Sequence, residues 1–214
     1  MSRDISIRQS NSEPSNRNME NKRKRICVTG YGSGFDVNPA QVIVRNLSKY
    51  EFPSNLDVTT EIIEVSYNSA NECSTKLCEF HRSRWFSVNG YLCDSIEMEK
   101  QAFSHGYVSV DVNGKVPLLN RSIVELKNEE PRILKTMLDC ESIAKAADNL
   151  YPEIEVGTST NPGRFLCGYI YYLSLAKSNG RAVFIHVSRF SEEATEEMMT
   201  ETVAHIVRLI SKQI

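Results

Sequence analysis

A polar turn, a long apolar and aromatic run, an Asn-Gly stop and a short β-branched run follow one another between Ser159 and Val187. No other stretch limits the possible folds as tightly. Its first part reads STNPGRFLCGYIYYLSL, from Ser159 to Leu175. Ser, Thr and Asn are favoured just before a helix, and Pro in its first turn. This predicts a helix start near Asn161–Gly163, with Cys167 in the first or second turn. Asn179-Gly180 suits a helix end. Ala182–Val187 (AVFIHV) then has the length and branching of a buried strand.

The rest of the chain repeats that alternation. Strands are predicted at Ile26–Thr29, Val58–Val65, Arg84–Val88 and Glu153–Thr158. Helices are predicted at Pro39–Lys49, Asn68–Phe80 and, from helical spacing of apolar residues, within Ile133–Tyr151. A last helix follows Ser191-Glu192-Glu193, with Met198, Ile206, Val207 and Ile210 on its buried face. Ser95–Tyr107 is mixed, and Pro117–Pro131 reads as a loop. Alternating strands and helices imply an α/β fold, a three-layer α/β/α single domain with a mostly parallel mixed sheet. The polar Met1–Lys24 is expected to be a disordered extension, with the domain spanning 25–214. Its Lys22-Arg23-Lys24-Arg25 run is read as a solvated charge cluster rather than an import signal.

Two residues in the constraining stretch carry chemistry. A cysteine in the first turn of a helix meets unpaired N–H groups and the positive end of the helix dipole. Its thiolate, the nucleophilic form, is favoured there. A lone cysteine on an apolar helix is more often a buried structural residue. His186 lies near the C-terminal end of the following strand, where sites form in open α/β sheets. A lone histidine on an apolar strand is likewise more often a core residue. Together, Cys167 and His186 make a nucleophile and a base that need only a third group to orient the imidazole.

Composition narrows the classes of partner. At 214 residues, 41% hydrophobic and 24% charged, the chain can bury a sizeable core. A net charge of -2 gives no reason to expect nucleic acid or an anionic membrane. No apolar run reaches the ~20 residues of a membrane span, and no secretory leader is evident. The six cysteines, at 27, 73, 78, 93, 140 and 167, lack metal-ligand or disulfide-scaffold spacing. Reduced thiols in the cytoplasm, with no metal and no other cofactor, are the simplest expectation. A monomer and a homo-oligomer are both compatible with the sequence.

Pro162-Gly163-Arg164-Phe165-Leu166-Cys167 and Phe184-Ile185-His186-Val187 resemble two blocks of the pyroglutamyl peptidase I (pyrrolidone carboxyl peptidase) family. Those blocks are close to Ala-Gly-x-aromatic-(Leu/Val)-Cys and Phe-(Ile/Val)-His-(Val/Ile). A third block, family Glu-(Lys/Arg)-x-(Ala/Gly)-x-Asn continuing Lys-Gly-Tyr in vertebrates, is similar to Met98-Glu99-Lys100-Gln101-Ala102 and Gly106-Tyr107. Ser104 replaces the usual Asn. The resemblance implies a cysteine peptidase that removes an N-terminal pyroglutamyl residue, with Cys167, His186 and Glu99 as a catalytic triad. From spacing alone, Glu99 would be one carboxylate among many.

The first loop, Thr29-Gly30-Tyr31-Gly32-Ser33-Gly34-Phe35 with Asn38-Pro39, resembles the family loop whose aromatics sandwich the substrate's lactam ring. By that match Tyr31, Phe35 and Asn38 are substrate-binding residues, although this loop is two residues shorter. The Gly-rich turn near Gly90 is reduced, and the family arginine is absent near Gly114-Lys115. Eroded pocket motifs beside an intact triad admit an alternative, a catalytically weak or inactive binding protein on the same fold. A third reading takes the Gly30–Gly34 loop as a nucleotide cradle, but its G-x-G-x-G spacing is not a dinucleotide fingerprint and it has no P-loop Lys.

Overall fold

The computed structural model describes residues 23–32, 38–79, 84–90, 95–125 and 130–214, with backbone alone at 77–79 and 84–90. Five helices and eight strands occur among them, in the order β1 (Lys24–Tyr31), α1 (Pro39–Leu47), β2 (Leu56–Ile63), α2 (Tyr67–Glu79), β3 (Arg84–Gly90), β4 (Ile96–Glu99), β5 (Gln101–Phe103), β6 (Ile133–Lys135), α3 (Cys140–Ala147), β7 (Val156–Ser159), α4 (Leu166–Ser178), β8 (Ala182–Val187) and α5 (Glu196–Lys212). A six-stranded sheet runs β2-β1-β3-β8-β4-β7, and β5 pairs with β6 in a separate two-stranded sheet. Neighbours in the large sheet are parallel except β4 against β8. The expected three-layer α/β/α arrangement with a mostly parallel mixed sheet is the observed one.

Side chains alternate across a strand with period two, so each strand feeds two cores. Ile26 and Val28 of β1, Ile96 and Met98 of β4, and Val183, Ile185 and Val187 of β8 meet α1, α3 and α5 in one aliphatic cluster. Tyr31 at the end of β1 and Ala182 and Phe184 of β8 join α2 and α4 in a second, aromatic cluster. Every residue of β8 is buried, as a strand covered on both faces requires. α4 is buried from Leu166 to Leu175 without a break. The sheet lies under it, α2 lies beside it, and β5 and β6 also pack on it. A helix enclosed this way needs no polar face.

Several predicted boundaries move. α4 starts at Leu166 rather than near Asn161–Gly163, because Gly163 takes a positive φ of 76° and turns the chain first. The expected helix over Ile133–Tyr151 divides into β6 and the shorter α3. Asp139 supplies the reason: its side chain accepts from the backbone N–H of Ser142 and caps a new helix there. In the last helix Thr195, not the Ser191 turn, is the N-cap, accepting from Met198 N at 3.3 Å. Met199 is then fully buried and Met198 only partly. The mixed segment 95–107 holds β4 and β5, and 118–125 holds two short 3-10 turns. Phe35 and residues 1–22 lie outside the described residues.

Candidate active site

Glu99, the last residue of β4, and His186, the penultimate residue of β8, sit on adjacent antiparallel strands. Met98 and Ile185 go to the aliphatic core, so period two turns Glu99 and His186 to the other face, toward α4. There the imidazole Nδ1–H donates to Glu99 Oε1 at 2.9 Å. The pair is closed from water: the side chains are 2% and 0% exposed. Cys167, the second residue of α4, neighbours the same ring and helps hold its pKa up. The structure thus brings all three expected triad members together.

The electrostatics of His186 follow from that company. Burial is the largest influence and opposes a charged ring. The hydrogen bonds and charges of Cys167 and Glu99 outweigh it and hold the pKa up, to about 9. Their company thus favours the protonated imidazole against the pull of burial. By contrast, burial pushes the Cys27 thiol up to about 11 and Cys140 up to about 12, and raises Cys73 further. None of the four cysteines described with side chains is in a disulfide.

The local sequence explains how Cys167 is aimed. Tyr171 is one helical turn beyond it and shares its face. The Tyr171 hydroxyl donates to the Glu99 backbone carbonyl at 2.6 Å, which pins α4 to β4. The Tyr171 ring packs 5.8 Å from Phe184, and Phe184 packs 5.0 Å from the His186 ring. Ahead of the helix, a Cβ on Gly168 would lie 2.3 Å from the Gly163 carbonyl oxygen, so only glycine admits the fold-back of the 162–165 turn. The Arg164 guanidinium stacks 3.4 Å over the Phe103 ring and ties that turn to β5. The N-cap, Phe165, offers no side-chain acceptor to the first turn.

The other expected residues are placed less directly. Tyr31 ends β1, is buried, and donates its hydroxyl to the Leu166 carbonyl at 3.1 Å, beneath the start of α4. Asn38 caps α1 by accepting from Ala40 N, while its amide donates to the carbonyls of Tyr31 at 3.1 Å and Gly32 at 3.4 Å. It ties the start of α1 to the end of β1. A Cβ on Gly30 would lie 2.8 Å from Val44, so that glycine serves helix–strand packing. Residues 33–37 of this loop lie outside the described residues. Lys115 is exposed, in a turn where the Asp111 carboxylate accepts from the backbone of Asn113, Lys115 and Tyr67.

Two features escaped the reading of the sequence. Tyr171 as an anchor was one aromatic among many. Glu97 lies directly opposite His186 in the ladder. Reading 95–99 as a strand would have exposed it, since residues two apart share a face.

A buried thiol, imidazole and carboxylate are thus gathered on one face of an α/β/α sheet. Residues 7–191 match the family described as "Putative pyroglutamyl peptidase PgaPase_1", and the chain belongs to this pyroglutamyl peptidase family. Pyroglutamyl-peptidase 1 of Homo sapiens is 29% identical over 174 residues, covering 79% of this chain and 81% of the human protein. The Rattus norvegicus protein of the same name is 28% identical over the same span. In fold, the chain is similar to a mutant pyrrolidone carboxyl peptidase from Pyrococcus furiosus, with a TM-score of 0.76 at 22% identity, covering 89% of this chain and 99% of that one. The pyrrolidone carboxyl peptidase of Fervidobacterium islandicum gives 0.75 at 22% identity, covering 88% and 99%. No helix among the described residues is long and apolar enough to cross a membrane.

Proposed function

We propose that the chain is a cysteine peptidase that hydrolyses the N-terminal pyroglutamyl residue from peptides, using Cys167, His186 and Glu99. The observation that carries this is the buried His186 ring, hydrogen-bonded to Glu99 and held at a raised pKa by Glu99 and the neighbouring Cys167. The family and the names of its relatives supply the substrate class. His186 takes the proton of Cys167, giving a thiolate beside an imidazolium. The thiolate attacks the pyroglutamyl carbonyl carbon, and backbone N–H groups at the start of α4 receive the oxyanion. His186 gives its proton to the peptide nitrogen as the C–N bond breaks, releasing the shortened peptide. Water then attacks the thioester, its proton passes to His186, and the C–S bond breaks to free pyroglutamate. Glu99 holds the ring tautomer and offsets its charge.

In this reading Tyr31 and Asn38 serve the lactam side of the pocket, and Phe35 is assigned to substrate binding by the family resemblance alone. Asn38 acts by fixing the Tyr31 and Gly32 carbonyls rather than by reaching outward. Free, buried cysteines agree with a reducing compartment such as the cytoplasm. No metal or organic cofactor enters the scheme. The test is turnover of a fluorogenic pyroglutamyl amide by the wild type, Cys167→Ser and His186→Ala. Turnover lost in both variants supports the scheme. A folded wild type no faster than its variants would refute it, leaving a binding protein on this fold.

A further inference from the structure

We propose that Glu97 is a positioning residue for the same reaction, a second carboxylate whose field keeps the proton on His186. This rests on the reading of His186 as the acid–base group. Three observations carry it. Glu97 is the residue directly opposite His186 in the antiparallel ladder. Its neighbours Ile96 and Met98 go to the aliphatic core, so its side chain shares the face of Glu99 and His186. One ring nitrogen of His186 and one oxygen from each glutamate all lie within 4.8 Å of one another.

The two carboxylates are not equivalent. Glu99 is sealed from water and makes the direct hydrogen bond to the ring. Its second oxygen, Oε2, is buried with no hydrogen-bond partner among the described residues. Glu97 is half-buried, at the edge of the cluster. Burial alone would strip the proton from the imidazole. Around the ring, α4 contributes Cys167 and, through Glu99, Tyr171. β4 contributes the two glutamates, and β8 contributes Phe184. The residue of β3 level with the ring is Asn89, which carries no charge. None of these groups is a cation, so the formal charges among these described groups around the ring are negative. Glu99 fixes where the ring points. Glu97 adds charge without a bond, which is worth having only if the charged ring is the working form.

Glu97→Gln keeps the shape and removes the charge. A half-exposed unit charge ~5 Å away shifts a neighbouring titration by about 0.5–1 pH unit. The sign follows from losing an anion: the imidazolium releases its proton at lower pH. The alkaline limb of kcat/KM should therefore move down by that amount in Glu97→Gln, with the plateau within about threefold of wild type. The displacement should shrink in ~1 M salt, where exposed charges are screened. Glu97→Asp should restore part of it. A merely structural role would lower the plateau and leave the limb in place, and that result overturns the proposal. Titration of the His186 ring nitrogens by NMR, in the full-length wild type and in Glu97→Gln, reads the same shift without turnover. If the chain proves inactive, a downward NMR shift still upholds the role of Glu97 at the ring. An unmoved ring titration ends it.

Discussion

The two faces of the sheet are built from different chemistry. On the face covered by α1, α3 and α5, the buried cluster is aliphatic: Ile26, Val28, Ile43, Val44, Ile185, Val203, Ile206 and Val207 meet with small residues and methionine between them. On the face covered by α2 and α4, the cluster holds Tyr31, Tyr67, Tyr107, Tyr169, Tyr171, Tyr172 and Phe184 around Cys167. Each of those tyrosines has a partner for its hydroxyl. Tyr67 donates to Ser109 O, Tyr107 to Phe103 O, Tyr169 to Asn71 Oδ1 and Tyr172 to Glu125 Oε1. The first face gains stability from shape and from removal of apolar area from water. The second gains direction: a buried hydroxyl must find a partner, and the partner fixes where its helix sits. A charged cluster is tolerated on the directed face because its groups are held in register.

The sharpest test uses two consecutive residues of β8 that face opposite ways. For His186→Ala or Cys167→Ser we expect turnover to fall by more than about 1,000-fold, as when a nucleophile or base is removed. For Ile185→Ala, fully buried on the aliphatic face, we expect about 3 kcal/mol of lost stability, as for other buried Ile-to-Ala truncations. Its kcat per folded molecule should stay near wild type. Paired urea titrations and rate measurements read both. If Ile185→Ala stays stable but loses turnover, the division between the faces is wrong.

Thiol chemistry draws the same line inside the directed face. Cys73 and Cys27 are held protonated by burial, Cys27 with a pKa pushed up to about 11. Cys140, across the sheet, is pushed up to about 12. Cys167, among the described cysteines, is the one that raises the pKa of the His186 imidazole. We expect limiting iodoacetamide at neutral pH to label Cys167 at least about 100 times faster than those three. Peptide mapping after short exposure would check it, and prior alkylation should remove turnover in proportion. Equal labelling of Cys27 and Cys167 would deny the latter any activation.

Much of this was legible in the chain, and what was not has physical causes. The helix-then-strand unit around Cys167 and His186 was clear because long apolar runs and an Asn-Gly stop leave few alternatives. The start of α4 was misplaced because Pro162 and Gly163 suit both a first helical turn and a preceding loop. Only the close passage of Gly163 O over Gly168 decides between them, and that contact is tertiary. β6 was hidden because Ile133–Lys135 pairs with β5, about 30 residues earlier, and spacing within one segment does not show a distant partner. Glu99 drew its meaning from resemblance alone. β4 is four residues long, and antiparallel pairing to β8 is what turns two of its glutamates toward the histidine.

Tyr171→Phe should give a smaller effect that spans stability and chemistry. It deletes one oxygen and leaves the Glu99 carbonyl, buried under α4, without that donor. Losing such a bond costs about 1–2 kcal/mol. If the hydroxyl also sets the distance from the nucleophile's helix to the carboxylate's strand, we expect kcat to fall by about tenfold with KM unchanged. Loss of stability alone would reduce Tyr171 to a packing residue, and the directed face would then owe its geometry to the backbone of α4.

The smallest effect belongs to the aliphatic face and checks that it is silent. Thr195 caps α5 by accepting from Met198 N, ahead of Glu196 and Glu197, whose charges suit the positive end of the helix. Thr195→Ala removes that acceptor and should cost about 1 kcal/mol. The helix it starts buries Met199, Val203, Ile206 and Val207 against the sheet, on the side away from Cys167. Fraying of its first turn loosens Met199, and the loss reaches His186 only through the sheet. We therefore expect a lower urea midpoint with kcat/KM and the alkaline limb both unchanged. A shift in that limb would mean the sheet transmits strain from one face to the other, and the two faces could not then be treated as independent.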